Sequence, residues 1–167
     1  SAMMLRTDQP DSPCGSRLNL LLSYGGWQET PAVAQLARLL EPLGITSFTA
    51  ETGEQAADII RQMAIHIAVV DLSIPLRHHD SGVAPPGGDR ILQLLRRLDE
   101  PPPTVVVRPP QPAARESARG LGEALRGGAF AVIDRPIHLE TMLEVMRRVL
   151  TRHYAGHWPD SPRASLD

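Results

Sequence analysis

The sequence predicts an α/β domain built on a doubly wound, five-stranded parallel sheet. Five short apolar runs alternate with five segments whose apolar residues recur at helical spacing. Most of the runs are predominantly apolar instead of alternating with polar residues, which is typical of parallel strands covered on both faces, and the second run, ITSFTA, is the weaker signal. A chain of 167 residues with ordinary apolar and charged content fits one domain that buries a real core.

Each predicted element has a local signal. The predicted strands are residues 17–23, 45–50, 65–70 ending at Asp71, 104–107 and 130–133. The predicted helices are residues 31–43, 53–63, 89–98, 115–126 and 139–152. Thr30 and Asp89 are predicted N-caps, Gly44 a helix stop, and Thr52 with Gln55 a capping box. Gly120 and Gly122 weaken the fourth helix.

Domain boundaries follow from composition. Residues 1–16 are expected to be a tag remnant and a loose leader, because Ser1-Ala2-Met3 precede Met4 and a polar Ser/Pro/Asp stretch follows. One folded domain is expected over residues 17–152, and a polar tail over 153–167.

Charge and cysteine content exclude several classes of protein. A net charge of −2 gives no strong field for nucleic acid or an anionic membrane, so we expect neither partner. No apolar run approaches the roughly 20 residues of a membrane span. The single cysteine, Cys14, cannot form an internal disulfide, and a cytoplasmic location is expected.

Two segments carry a family resemblance. In residues 67–75, IAVVDLSIP, Asp71 ends a strand and Pro75 follows four residues later. In residues 124–137, ALRGGAFAVIDRPI, a Gly-Ala turn enters a strand that is followed by a basic residue and proline. Together they resemble response-regulator receiver domains of two-component signal transduction, over residues 18–150. The resemblance implies a (βα)5, flavodoxin-like fold with strand order 2-1-3-4-5.

The resemblance also implies a degenerate site. Receivers carry a phosphoacceptor aspartate, an acidic pair that holds Mg²⁺, a Ser or Thr after the fourth strand and a Lys after the fifth. Asp71 matches the phosphoacceptor, but the other positions match Ser23, Tyr24, Arg108 and Arg135. We therefore expect no catalytic residue, no cofactor and lost or weak Mg²⁺ binding. An ion pair of Asp71 with Arg135, Arg108 or both is expected instead.

The leading functional hypothesis is a non-enzymatic pseudo-receiver that signals through protein contacts without phosphorylation. Its partner would be a sensor kinase or a downstream regulator, and a homodimer is expected. By resemblance, the contact face is built by the fourth helix, the fifth strand and the fifth helix. That face includes Arg115, Arg126, Asp134, Arg147 and Arg148.

Three alternatives stay open. Asp71 could accept phosphate from a sensor kinase in a phosphorelay. The crevice at the carboxyl ends of the strands could bind a small ligand, as the related flavin-binding fold does. The third alternative is the receiver part of an RNA-binding antiterminator, a family that carries an added three-helix domain; this interpretation requires that the sequence be a piece of a longer chain. The tract His78-His79-Asp80 lacks further ligands for a metal, and Tyr24 and Trp27 are expected to fill the vacated metal pocket.

Overall fold

The computed structural model of the chain describes residues 17–25, 31–78, 85–110 and 113–154. It contains a five-stranded, all-parallel sheet in the order β2-β1-β3-β4-β5, which confirms the predicted fold. The strands are β1 (Leu18–Ser23), β2 (Ile45–Ala50), β3 (Ile67–Asp71), β4 (Thr104–Arg108) and β5 (Ala131–Asp134). The helices are α1 (Pro31–Leu40, continued by a 3-10 turn over Glu41–Leu43), α2 (Gly53–Gln62), α3 (Gly88–Arg96), α4 (Ala114–Arg126) and α5 (Leu139–Tyr154).

The sheet is covered on both faces, as its apolar strands require. Every residue of the central strands β3 and β4 is buried. Successive side chains of a strand point to opposite faces, so neighbours along β1 enter different cores. Leu20 and Leu22 pack with residues of α1 and α5, whereas Leu21 packs with residues of α2 and α3.

Strand register places the candidate site residues at one edge of the sheet. Ser23 lies opposite Val70 in the β1–β3 pair. Arg108 lies opposite Asp134 in the β4–β5 pair. Because all five strands run in the same direction, the ends of β1, β3, β4 and β5 open onto one crevice.

The start of α3 corrects a prediction. Asp89 does not cap this helix, because α3 begins at Gly88 after the N-cap Gly87. Both glycines pack closely against the preceding loop: a Cβ on Gly88 would lie 2.6 Å from the Cα of Leu72. This close approach needs glycine at the helix start, and Asp89 falls in the first turn, where its negative charge suits the helix dipole.

Other predicted boundaries shift by two residues or fewer. β3 begins at Ile67 instead of residue 65, α4 begins at Ala114, β5 covers Ala131–Asp134, and α5 continues to Tyr154. The hydroxyl of Tyr154, the last residue of α5, donates a hydrogen bond of 2.6 Å to the His66 carbonyl. The predictions on residues 1–16, Trp27, Thr30, His79, Asp80 and the tail from residue 155 lie outside the described residues.

The long connection after β3 is anchored beside the crevice. Pro75 and Pro86 form an antiparallel bridge that closes its base. The first amides of α2 are satisfied by this connection: the Gly53 N–H donates to Pro75 O at 2.8 Å and the Glu54 N–H to Leu76 O at 2.9 Å. Thr52 caps the same helix as predicted, accepting from the Gln55 N–H at 3.1 Å.

No helix in the part of the chain that the structure describes is both long enough and apolar enough to cross a bilayer.

Candidate functional site

Asp71 is the centre of the crevice. It ends β3, and its side chain is completely buried. Oδ1 accepts a hydrogen bond of 2.9 Å from the Ser73 N–H. Oδ2 accepts from the Gly25 N–H at 3.0 Å and from Nη2 of Arg135 at 2.5 Å. Both carboxylate oxygens are therefore engaged by donors of the protein itself.

Arg135 is held from two sides. It follows β5, and its side chain is 24% exposed. The carboxylate of Asp71 contacts one edge of the guanidinium, and the ring of Tyr24 lies under it with 4.5 Å between Cζ and the ring centroid. Tyr24 is itself only 2% exposed. An ion pair and a cation–π contact thus fix the same cation, and its planar shape suits both contacts.

The residues at the receiver family's acidic-pair positions have other contacts. Ser23 is buried, and its hydroxyl donates to the Val69 carbonyl at 2.7 Å. Tyr24 packs in the core that also contains Leu20 and Leu22. Neither residue brings a carboxylate to Asp71.

These residues do not fit a Mg²⁺ site. Mg²⁺ takes oxygen ligands in octahedral geometry, and proteins usually hold it with one or two carboxylates. Among the residues that the structure describes around this crevice, Asp71 supplies the carboxylate, and it already accepts two backbone N–H groups and a guanidinium. Within the described ranges, no group of three or more His, Cys, Asp or Glu side chains could hold a metal ion.

Arg108 forms a second, separate cluster. It ends β4 with only 7% exposure. Its Nε pairs with the carboxylate of Asp134, and its two terminal nitrogens donate to Ser117, to the carbonyl at 2.9 Å and to the hydroxyl at 2.7 Å. Its guanidinium is thereby committed to α4 and β5, and of the two arginines it is Arg135 that forms the ion pair with Asp71.

The residues predicted to form the contact face lie on α4, β5 and α5. Arg115, Arg126, Arg147 and Arg148 are exposed, and Asp134 is tied to Arg108. Arg147 also pairs with Glu144 at 2.6 Å, and this hydrogen bond lowers the pKa of Glu144.

Sequence reasoning missed two exposed leucines on α4. Leu121 is 38% exposed and Leu125 is 44% exposed, although helical spacing alone would assign both to an inner face. It also missed Ser117, because a serine inside a helix carries no signal for a distant arginine.

Comparison with solved structures identifies proteins that share this fold. No protein-family model and no curated protein matches the sequence. The receiver domain of the Francisella response regulator 1452 is similar in structure, with a TM-score of 0.61, 17% identity and coverage of 81% of this chain and 98% of that one. The HemR receiver domain from Leptospira biflexa gives a TM-score of 0.58 at 23% identity, covering 81% of this chain and 95% of that chain.

A third solved structure is similar over the same part of the chain. A CheY-like receiver domain protein from Methanospirillum hungatei gives a TM-score of 0.59 at 20% identity, covering 82% of this chain and 96% of that chain. At such low identity the similarity establishes the fold and leaves the function to be argued from the site. The chain has the fold of response-regulator receiver domains.

Proposed function

We propose that this chain is a receiver-type signalling module that acts through protein contacts, in the cytoplasm and without phosphorylation of Asp71. The observation that carries the proposal is the engagement of both Asp71 oxygens, with Arg135 Nη2 at 2.5 Å from Oδ2. On this proposal the domain is not an enzyme, and its output is set by what binds its surface.

The chemistry of phosphoryl transfer supports this view. An acceptor carboxylate needs an oxygen aligned with the incoming phosphorus, and the moving charge must be neutralised by a metal ion and other cations. Oδ2 of Asp71 is covered by the Arg135 guanidinium, and the side chain is completely buried. Ser23 at the end of β1 and Tyr24 after it supply a hydroxyl and an aromatic ring in place of metal-binding carboxylates. A phosphoryl group would have to displace the ion pair without the metal that offsets its charge.

The proposed contact surface combines α4, β5 and α5. Leu121 and Leu125 expose apolar surface on α4. β5 is an edge strand, and its residues line a cavity of about 270 Å³ together with Thr141, Val145 and Arg148. Apolar side chains surrounded by arginines are the composition expected of a protein interface. We propose that a second copy of the chain occupies this surface.

Treatment with a small-molecule phosphodonor tests the proposal. The chain is incubated with phosphoramidate and Mg²⁺, beside a phosphorylatable receiver domain as a positive control, and intact masses are recorded. We expect the control to gain one phosphoryl group and this chain to gain none. A phosphoryl adduct that disappears in Asp71→Asn would overturn the proposal.

The competing function is a phosphoacceptor in a two-component phosphorelay. It is favoured by the position of Asp71 at the carboxyl end of β3, with a cation beside it. The same experiment decides between the two functions, because only the phosphoacceptor predicts an adduct that depends on Asp71.

A further inference from the structure

Helix α4 is attached to the sheet with little apolar burial. None of its side chains that the structure describes is buried, and Leu121 and Leu125 face away from the core. α3, which covers the same face of the sheet, buries Ile91 and Leu95 instead. The position of α4 therefore depends on something other than hydrophobic packing.

The buried guanidinium of Arg108 supplies polar contacts to α4 where hydrophobic packing is small. Arg108 bridges three elements: it leaves β4, pairs with Asp134 of β5, and donates two hydrogen bonds to Ser117 of α4. Its backbone carbonyl also accepts from the Arg135 N–H at 2.9 Å. Charge-assisted hydrogen bonds in a buried setting are stronger than those between neutral groups. The guanidinium of Arg108 makes three of them at once. We call Arg108, Asp134 and Ser117 the α4 clamp.

Gly120 makes room for the clamp. It lies one turn after Ser117, and a Cβ there would lie 2.7 Å from Nη1 of Arg108. An exposed arginine could move aside, but Arg108 is buried and would give up its bonds to Ser117. Gly122 differs, since its Cβ would meet the Arg126 guanidinium at 3.2 Å, on a side chain that is exposed.

We infer that Arg108 is the positioning residue of α4, and that the α4 clamp holds the proposed contact surface in one arrangement that does not depend on Asp71. The importance of that surface for signalling rests on the proposed function. The clamp itself is a property of the free chain and can be tested without any partner.

Hydrogen exchange of the full chain tests the inference with a matched pair of variants. Gly120→Ala and Gly122→Ala make the same change in the same helix, and alanine is the better helix residue at both positions. We expect Gly122→Ala to leave exchange in α4 unchanged or slower. Gly120→Ala should speed it by about tenfold relative to peptides of β1 and β3, because the guanidinium is displaced. Equal exchange in the two variants would overturn the inference.

Removing the arginine reverses the expected effect of Gly120→Ala. In an Arg108→Gln background the steric conflict is gone, so Gly120→Ala should slow exchange in α4. Acceleration by Gly120→Ala in both backgrounds would contradict the clamp. Ser117→Thr, which keeps a hydroxyl, should protect α4 better than Ser117→Ala.

A variant at Asp71 tests independence from that residue. Asp71→Asn should change the exchange rate of α4 by less than about twofold compared with α4 in the wild type, because local opening of α4 does not break the Asp71–Arg135 pair. A change as large as that caused by Arg108→Gln would show that Asp71 sets the position of α4. The phosphodonor experiment addresses the proposed function separately, so its failure and the failure of the clamp can be distinguished.

Discussion

Nη2 of Arg135 lies 2.5 Å from Oδ2 of Asp71, and the aspartate that accepts this bond is completely buried. The pair joins the ends of β3 and β5, which are separated in the sheet by β4. It places a permanent cation on the oxygen that phosphoryl chemistry would need. We therefore treat the pair as a standing structural contact, and its removal should affect stability directly.

Asp71→Asn is expected to destabilise the domain at neutral pH by about 2 kcal/mol or more, because it leaves a largely buried guanidinium without its counter-ion. For a chain of this size the melting temperature should fall by roughly 4–8 °C. Thermal melts of the wild type and the variant measure the change. A higher melting temperature in the variant would mean that Asp71 is under net repulsion and would contradict the ion-pair account.

Asp58→Asn is the matched control for that substitution. Asp58 pairs with Arg61 at 3.0 Å, but both side chains are more than half exposed. Water screens such a pair, so the same chemical change should shift stability by less than about 0.5 kcal/mol.

Leu121→Asp and Leu125→Asp are expected to abolish self-association while leaving the melting temperature almost unchanged at concentrations low enough for the wild type to be monomeric. Both leucines are exposed in the single chain, so a charge there costs little in folding but would be buried by a second copy. Sedimentation velocity over a range of concentrations measures the effect. A monomeric wild type at high concentration would refute the proposed dimer.

Leu39→Asp is the control for the α4 substitutions. Leu39 lies on α1 and is 48% exposed, so it tests the effect of losing an exposed leucine outside the proposed surface. We expect Leu39→Asp to associate like the wild type.

His66 is expected to make stability fall in mild acid. Burial lowers the pKa of His66 below its ordinary value of 6.5, and Nδ1 accepts a hydrogen bond of 2.9 Å from the Asn19 N–H. The folded state favours the neutral ring. The stability that His66 contributes as a neutral ring is fully present above about pH 6.5. It is lost as the pH falls from there through the lower pKa of the folded state.

Thermal melts between about pH 7 and pH 5 check the role of His66. His66→Asn keeps an acceptor near the position of Nδ1 but does not titrate, so its melting temperature should fall less steeply with pH. Parallel pH profiles for the wild type and His66→Asn would contradict the assignment, because the remaining histidines are common to both chains.

The strand and helix order was predictable because the strands are mostly apolar runs and α1, α2, α3 and α5 each have an apolar stripe that the structure buries. The start of α3 was harder to predict, because the tight packing of Gly88 against Leu72 is a tertiary contact. The position of Asp71 and Arg135 followed from the rule that parallel strands end at one edge. The rule places backbones, and it could not say which way a long arginine side chain would turn.

Arg108 illustrates that limit. Its position at the end of β4 was predicted, but its commitment to α4 depends on the hydroxyl of Ser117 and the space above Gly120. In the sequence Gly120 indicates only a weakened helix. Its second role, leaving space for the Arg108 guanidinium, depends on the contact between α4 and β4, which the sequence does not show.

Calorimetric titration of the chain with Mg²⁺, alone and with beryllofluoride as a phosphoryl mimic, measures directly whether the crevice around Asp71 binds the ligands of a phosphoacceptor site. We expect no binding tighter than millimolar in either case, because the Asp71 oxygens are engaged and Ser23 and Tyr24 supply no carboxylate. Binding tighter than millimolar that is abolished by Asp71→Ala would contradict the account and restore Asp71 as a phosphoacceptor.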